Sequence, residues 1–230
     1  ENVATQWNIS REAQDIFAYQ SQQKYTEALK AGKWANEIIG VEISENREPT
    51  IFDKDEHPRE TTLDKLAALK PAFKKDGTVT AGNSSGINDG AAALLLASEE
   101  AVKLFQLKPL AKVTSMAVAG VDPAIMGIGP IEATRKALNR ANLQVNDLSL
   151  IELNEAFAAQ SLACIQDLQF DESKVNVNGG SIAIGHPLGC SGARISTTLL
   201  HEMQRSNSKF GLATMCVGVG QGTAIIYEKL

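Results

Sequence analysis

From residue 112 onward, apolar and polar positions alternate between short apolar runs and longer stretches of helical period. VTSMAVAG, SLIEL and VNV read as strands, while residues 131–141, 155–168 and 191–205 carry apolar residues at three- and four-residue spacing and predict helices. Pro130 stands at the start of the first helix, where its missing N–H costs nothing. Two further apolar runs, GLATMCVG and GTAIIYEKL, end the chain as strands. The order βαβαβαββ predicts an α/β fold, a sheet covered by helices, with its chemistry in the loops beyond the strand ends.

The first hundred residues lack this rhythm. Ser10 can cap an amphipathic surface helix that carries Ile16, Phe17, Ala28 and Leu29, runs to about Lys30 and stops at Gly32. A strand is expected over residues 37–43. The polar run ENREPTIFDKDEHPRETT follows as an exposed excursion, and then a short helix over residues 63–69, capped by Thr61 or Thr62 and closed before Pro71. No compact core is evident in this part. It reads as the tail of one domain joined to a large inserted loop region.

With 43% hydrophobic and 21% charged residues, the 230-residue chain has an ordinary globular balance. A net charge of −5 provides no overall basic field, which argues against nucleic acid and anionic membranes as bulk partners. No apolar stretch reaches the length of a membrane span, and the start ENVATQWNIS has no signal-peptide pattern. That start also lacks Met, so an interior beginning, with residues upstream, is expected. Three widely spaced cysteines fit a reducing compartment and a cytoplasmic location better than a disulfide framework.

Candidate chemistry concentrates in residues 176–194, NVNGGSIAIGHPLGCSGAR. Glycines and Pro187 bracket His186 in a constrained turn that opens a helix, which suits an imidazole held for proton transfer. A turn whose histidine merely satisfies itself in the core is the plainer alternative. Asn154-Glu155 and the loop after Cys216 lie at corresponding strand ends.

Taken with ELNEAFAAQ (152–160), MCVGVGQGTA (215–224) and TAGNSSGINDGAA (80–92), this run resembles the thiolases, most closely the acetyl-CoA C-acetyltransferases. The resemblance implies a thiolase-like mixed sheet with an inserted loop domain: residues 1–87 as part of that loop domain, 88–109 as the end of the N-terminal half, and 110–230 as the C-terminal domain. It implies that Cys216 is the acid/base, that His186 activates a nucleophilic cysteine and donates to a thioester oxygen, and that Asn154 holds a water as the second donor. A neighbouring imidazole and backbone dipoles would bring the Cys216 thiol toward working pH. The Gly218 N–H would serve a second oxyanion hole. Ser85, Gly86, Ala156 and Phe157 would line the pantetheine tunnel, with His57, Arg59 and Lys65 near the nucleotide end. Arg59 fits the family's basic position poorly, and solvated charge explains it as well.

The implied ligands are acetyl-CoA, acetoacetyl-CoA and coenzyme A, the last as substrate rather than resident cofactor, in a family of homodimers and homotetramers. The family's acyl-accepting cysteine lies in a Cys-x-Ser-Gly pattern that none of Cys164, Cys190 and Cys216 shows. Cys164 reads most simply as a small core residue. Two readings follow: a thiolase whose nucleophile is on a piece not present here, or an inactive coenzyme A-binding fragment.

Other motifs fail on spacing. Gly218, Gly220 and Gly222 lead into a strand rather than a helix, GHPLGCSG lacks the Lys of a phosphate loop, and the pair His201-Glu202 has Arg205 where a zinc protease needs its second histidine. No metal site is expected.

Overall fold

In the computed structural model, which describes residues 1–45 and 48–230, four strands form one mixed sheet. They are β3 (Ala111–Gly120), β4 (Leu150–Leu153), β5 (Phe210–Val217) and β6 (Gln221–Lys229), in the order β3–β6–β5–β4. β4 and β5 run parallel, and the other neighbours are antiparallel. Alternation decides which residues meet which helix. Ile151, Leu153, Leu212, Ala224 and Ile226 join one core with α5 (Gly129–Ala141) and α6 (Ala158–Leu168). Leu150, Ala213 and Tyr227 face Ile195, Leu199 and Met203 of α8 (Ser191–Ser206). On the first face, backbone meets backbone: a Cβ on Gly222 would lie 2.0 Å from the carbonyl of Gly129, so α5 can begin there only over a glycine.

The strand expected at residues 175–177 shrinks to one parallel bridge between Val175 and Ile151. Asn176 adopts φ 45°, which ends the extended backbone. Its carboxamide takes over the pairing: Leu153 N donates to Asn176 Oδ1 and Asn176 Nδ2 donates to Leu153 O, both at 2.8 Å. The helix expected from residue 155 begins instead at Ala158, because residues 156–158 run alongside 83–85. Ser85 N donates to Ala156 O and Ala158 N donates to Asn83 O. The residue before the first turn of α6 is therefore Phe157 and not Asn154.

The N-terminal part contributes α1 (Asn2–Gln6), α2 (Arg11–Lys30) and α3 (Leu63–Ala67), with Ser10 and Thr62 as hydrogen-bonded caps. Phe17, Ala18 and Leu66 join the main core instead of building their own. The buried face of α2 differs from the apolar stripe read in the sequence. Ile16 and Leu29 are exposed, whereas Asp15, Ser21 and Gln22 are buried, each bonded to a distant residue. Polar partners have chosen the face. The expected strand at 37–43 starts later, as β1 (Val41–Glu45), and pairs antiparallel with β2 (Glu48–Phe52) of the polar excursion. Asn46 and Arg47 of that excursion lie outside the described residues.

Residues 88–98 form neither helix nor strand before α4 (Glu99–Leu104). Ile87, Leu95, Leu96, Leu104 and Phe105 are exposed there, as are Met116 and Val118 on β3. These side chains leave apolar surface facing solvent along one side of this chain.

Replacing Asn176 by Ala strands Leu153 N and O and removes a donor from Glu155. Asn176→Ala is expected to lower stability by about 2–4 kcal/mol, measured by urea unfolding. An unchanged midpoint would refute this account of the missing strand.

Candidate functional site

Asn154 follows β4 directly, tied to the neighbouring strand because its N donates to Thr214 O at 3.0 Å. The residue is fully buried. Its Oδ1 accepts from the Ser181 hydroxyl at 2.6 Å, and its Nδ2 lies 3.3 Å from His186 Nε2. The imidazole arrives from the glycine-rich run. α7 (Ser181–Ile184) ends at Gly185, whose φ of +96° suits glycine and where a Cβ would overlap the Asn88 side chain. His186 N then donates to Asn88 Oδ1 and Gly86 O, at 3.2 and 3.3 Å. His186 Nδ1 lies 2.6 Å from Ser191 Oγ in the first turn of α8, and Ser191 donates to Pro187 O. Burial, aided by the Arg194 charge, holds the imidazole below its usual pKa, so the ring is neutral at pH 7.

A buried carboxyl group, Glu155, to which the sequence assigned no role of its own, holds this turn in place. Glu155 accepts from Ser21 Oγ (2.7 Å), Asn176 Nδ2 (2.7 Å) and Ile182 N (3.1 Å), joining α2, the end of β4 and α7. Burial pushes its carboxyl above the usual range despite the three donors. The NEAF pattern pointed to this position, but nothing local identified Ser21 as its partner. Glu152, one strand residue before Leu153, is also buried and is pushed up to about 8 by burial, with the Arg194 guanidinium 3.6 Å away opposing the shift.

Cys216 is on β5, two residues beyond Thr214 and opposite Gly222. It thus shares the sheet end of Asn154. Among the described residues, no hydrogen bond joins its sulfur to His186. The expected lowering of its pKa does not occur in this structure: burial pushes the thiol up to about 11. Gly218 lies exposed in the β5–β6 loop, where a Cβ would meet nothing within 4 Å, so the close approach inferred for it is not made by protein atoms. Beside it, Val219 is 83% exposed and takes φ 68°, a strained backbone for a β-branched residue.

Ser85, Gly86, Ala156 and Phe157 come together. Ser85 N and Oγ both donate to Ala156 O, Ser84 bridges to Phe157, and Phe157 meets Phe73 edge-on at 5.9 Å. Gly86 links this group to His186 through its carbonyl and to His57, whose ring would touch a Cβ placed on it. Arg59 and Lys65, both exposed, line an open cleft of about 210 Å³ with Gln22, Leu66, Gly82 and Ile182. Cys164 is fully buried, its sulfur facing Gly127 O at 3.6 Å, and Cys190 is partly exposed at the start of α8. Among the described residues, no group of three or more His, Cys, Asp and Glu is placed to hold a metal ion, and no helix is long and apolar enough to cross a membrane.

Residues 107–229 match the family described as thiolase, C-terminal domain, and residues 1–100 match thiolase, N-terminal domain. The acetyl-CoA acetyltransferase of Syntrophomonas wolfei is 54% identical over 232 residues, which cover all of this chain and 59% of that protein. The beta-ketoadipyl-CoA thiolase of Acinetobacter baylyi is 53% identical over 234 residues, 58% of its length. Among solved structures, the Bacillus anthracis acetyl-CoA acetyltransferase superposes with a TM-score of 0.98 at 50% identity. The human mitochondrial 3-ketoacyl-CoA thiolase in complex with CoA gives 0.96 at 48%. All of this chain is covered in both, against 58% and 57% of theirs. The chain thus spans less than two thirds of the length of these relatives.

A raised carboxyl pKa means that the folded state holds a proton that the unfolded chain releases. Stability linked to Glu152 is thus greatest below the unfolded value near 4.5 and falls as pH rises toward about 8. Glu152→Gln is therefore expected to cost less stability at pH 8.5 than at pH 5, compared by thermal melts; the opposite trend would contradict the shift. With its thiol raised to about 11, Cys216 is expected to react with iodoacetamide at pH 7.5 after the more exposed Cys190, and peptide mass mapping would detect the reverse order.

Proposed function

Because the chain belongs to the thiolase family, we propose that it carries much of the site of an acetyl-CoA C-acetyltransferase, for condensation of two acetyl-CoA molecules or thiolysis of acetoacetyl-CoA. The observation that carries this reading is the 3.3 Å approach of Asn154 Nδ2 to His186 Nε2 at the end of β4. A carboxamide and a neutral imidazole so placed can both meet one thioester oxygen, and donors aimed at developing negative charge stabilise an enolate or tetrahedral oxyanion.

In thiolysis the acyl group passes to a cysteine thiolate, and the C–C bond breaks to release an acetyl-CoA enolate. Cys216, protonated at rest because burial raises its pKa, returns a proton to that carbanion and becomes a thiolate. It then takes the proton of incoming coenzyme A, whose thiolate attacks the acyl-cysteine. His186, neutral at pH 7, takes the proton of the acyl-accepting thiol and afterwards donates from Nε2. The backbone N–H of Gly218, at a position where even a Cβ would meet no protein atom within 4 Å, serves the second oxyanion hole.

Coenzyme A lies with its pantetheine arm along Ser85, Gly86, Ala156 and Phe157, and its phosphates toward Arg59 and Lys65 in the adjoining cleft. Residues 1–87 belong to the loop domain and 110–230 to the C-terminal domain. The acyl-accepting cysteine comes from polypeptide outside these 230 residues, which packs on the apolar surface of residues 87–105 and β3. The free cysteines suit a reducing compartment such as the cytoplasm.

Acetoacetyl-CoA and coenzyme A incubated with this chain alone are expected to give no thiolysis above background. Adding a polypeptide that supplies the rest of the relatives' length is expected to restore it, and His186→Ala in the restored protein to lower kcat by about 10²–10⁴-fold. Turnover by the chain alone would place the nucleophile on one of its own thiols, and the acylated peptide would identify which.

A further inference from the structure

Two side chains with no part in that chemistry stand directly behind it. Ser181, fully buried at the start of α7, donates to Asn154 Oδ1 at 2.6 Å. Arg194 Nη2, from the first turn of α8, donates to the Ser181 oxygen at 3.0 Å. The guanidinium assigns the amide: Arg194 can only donate to the Ser181 oxygen, so the buried serine proton goes to Asn154 and the atom it meets is the acceptor Oδ1. The serine thus faces the amide oxygen. Asn154 Nδ2 is left facing His186 Nε2, and because an amide nitrogen only donates, Nε2 must present a lone pair.

The far side of the ring gives the same answer independently. Ser191 donates its one hydroxyl proton to Pro187 O at 3.0 Å, so its oxygen accepts from His186 Nδ1 at 2.6 Å. The ring proton sits on Nδ1.

Arg194 makes the direction of this chain irreversible, because guanidinium has no acceptor and the Ser181 proton has to point toward Asn154. Its Nε and Nη1 are buried and make no hydrogen bond among the described residues, while Nη1 lies 3.6 Å from Glu152. Asp55, Glu152, His186 and Cys190 are the titratable groups that feel its charge. A guanidinium kept under-bonded in that position is explained by what it orients.

We propose that Ser181 and Arg194 are positioning residues that fix the carboxamide of Asn154 and, through it, the Nδ1-protonated tautomer of His186, so that Nε2 begins each cycle as a base. The catalytic consequence rests on the roles proposed above for Asn154 and His186, whereas the tautomer is a property of this chain in solution.

Long-range ¹H–¹⁵N NMR of this chain at pH 7.5 tests it. His186 is expected to show a protonated-type Nδ1 and an unprotonated-type Nε2. Ser181→Ala is expected to raise the Nε2-protonated population about tenfold, roughly the worth of one hydrogen bond. Ser181→Thr, which keeps the hydroxyl, is expected to retain the original tautomer, and Arg194→Gln to shift it in the same direction as Ser181→Ala. An Nε2-protonated ring in the parent chain, or a folded Ser181→Ala or Arg194→Gln protein with an unmoved tautomer, would overturn the proposal whatever the enzyme does. A tautomer that moves in Ser181→Ala while thiolysis by the restored protein stays unchanged would support the positioning and count against the catalytic role given to His186.

Discussion

The carboxamide of Asn176 is the constraint on which the site depends. By pairing with both the N–H and the carbonyl of Leu153, it performs the work of a neighbouring strand with one side chain. The backbone is then free to turn at residue 176 and enter the glycine-rich run. The same amide nitrogen also donates to Glu155, which ties the turn to α2 and α7. Asn154 lies between Leu153 and Glu155, so its own placement follows from bonds made by the residues on either side. A continuous fifth strand would cover the sheet edge just as well. It would not deliver a histidine back to the end of β4.

Burial sets the charge state of this region more than ion pairing does. It lowers the pKa of His186 and raises those of Cys216 and Glu152, so at neutral pH the imidazole is uncharged, the thiol protonated and Glu152 largely protonated. Arg194 and, more weakly, Lys24 oppose the shift of Glu152, and Arg194 adds to that of His186. A neutral site of this kind avoids burying opposed charges, and its hydrogen-bond donors keep their strength for charge that develops in the reaction.

The exposed apolar surface and the site belong to one architecture. Ile87 bridges to His186, and Asn88 holds the histidine's N–H, so the segment that runs out along the uncovered surface is the one that touches the imidazole. Whatever packs on residues 87–105 therefore presses on the frame around His186. Such packing would also shield Leu95 and Phe105 from water, which stabilises the assembly through the area removed from solvent.

Periodicity alone was enough to locate α5 and α8, which each turn one apolar face to a core, and β5 and β6, apolar runs that meet helices on both faces. The family motifs marked His186, Asn154 and Cys216, since glycine and proline spacing around a reactive residue is a local property. Long-range hydrogen bonding decided the rest. Asp15, Ser21 and Gln22 look like solvent-facing positions of α2, yet they are buried because Asn83, Glu155 and Ile182, remote in the chain, complete their bonds. The start of α6 moved for the same reason, as residues 83–85 claimed the backbone of 156–158 before the helix could. The protonation of Cys216 and the tautomer of His186 were beyond any local pattern. Both depend on which polar atoms share a dry volume, and only the folded chain brings those atoms together.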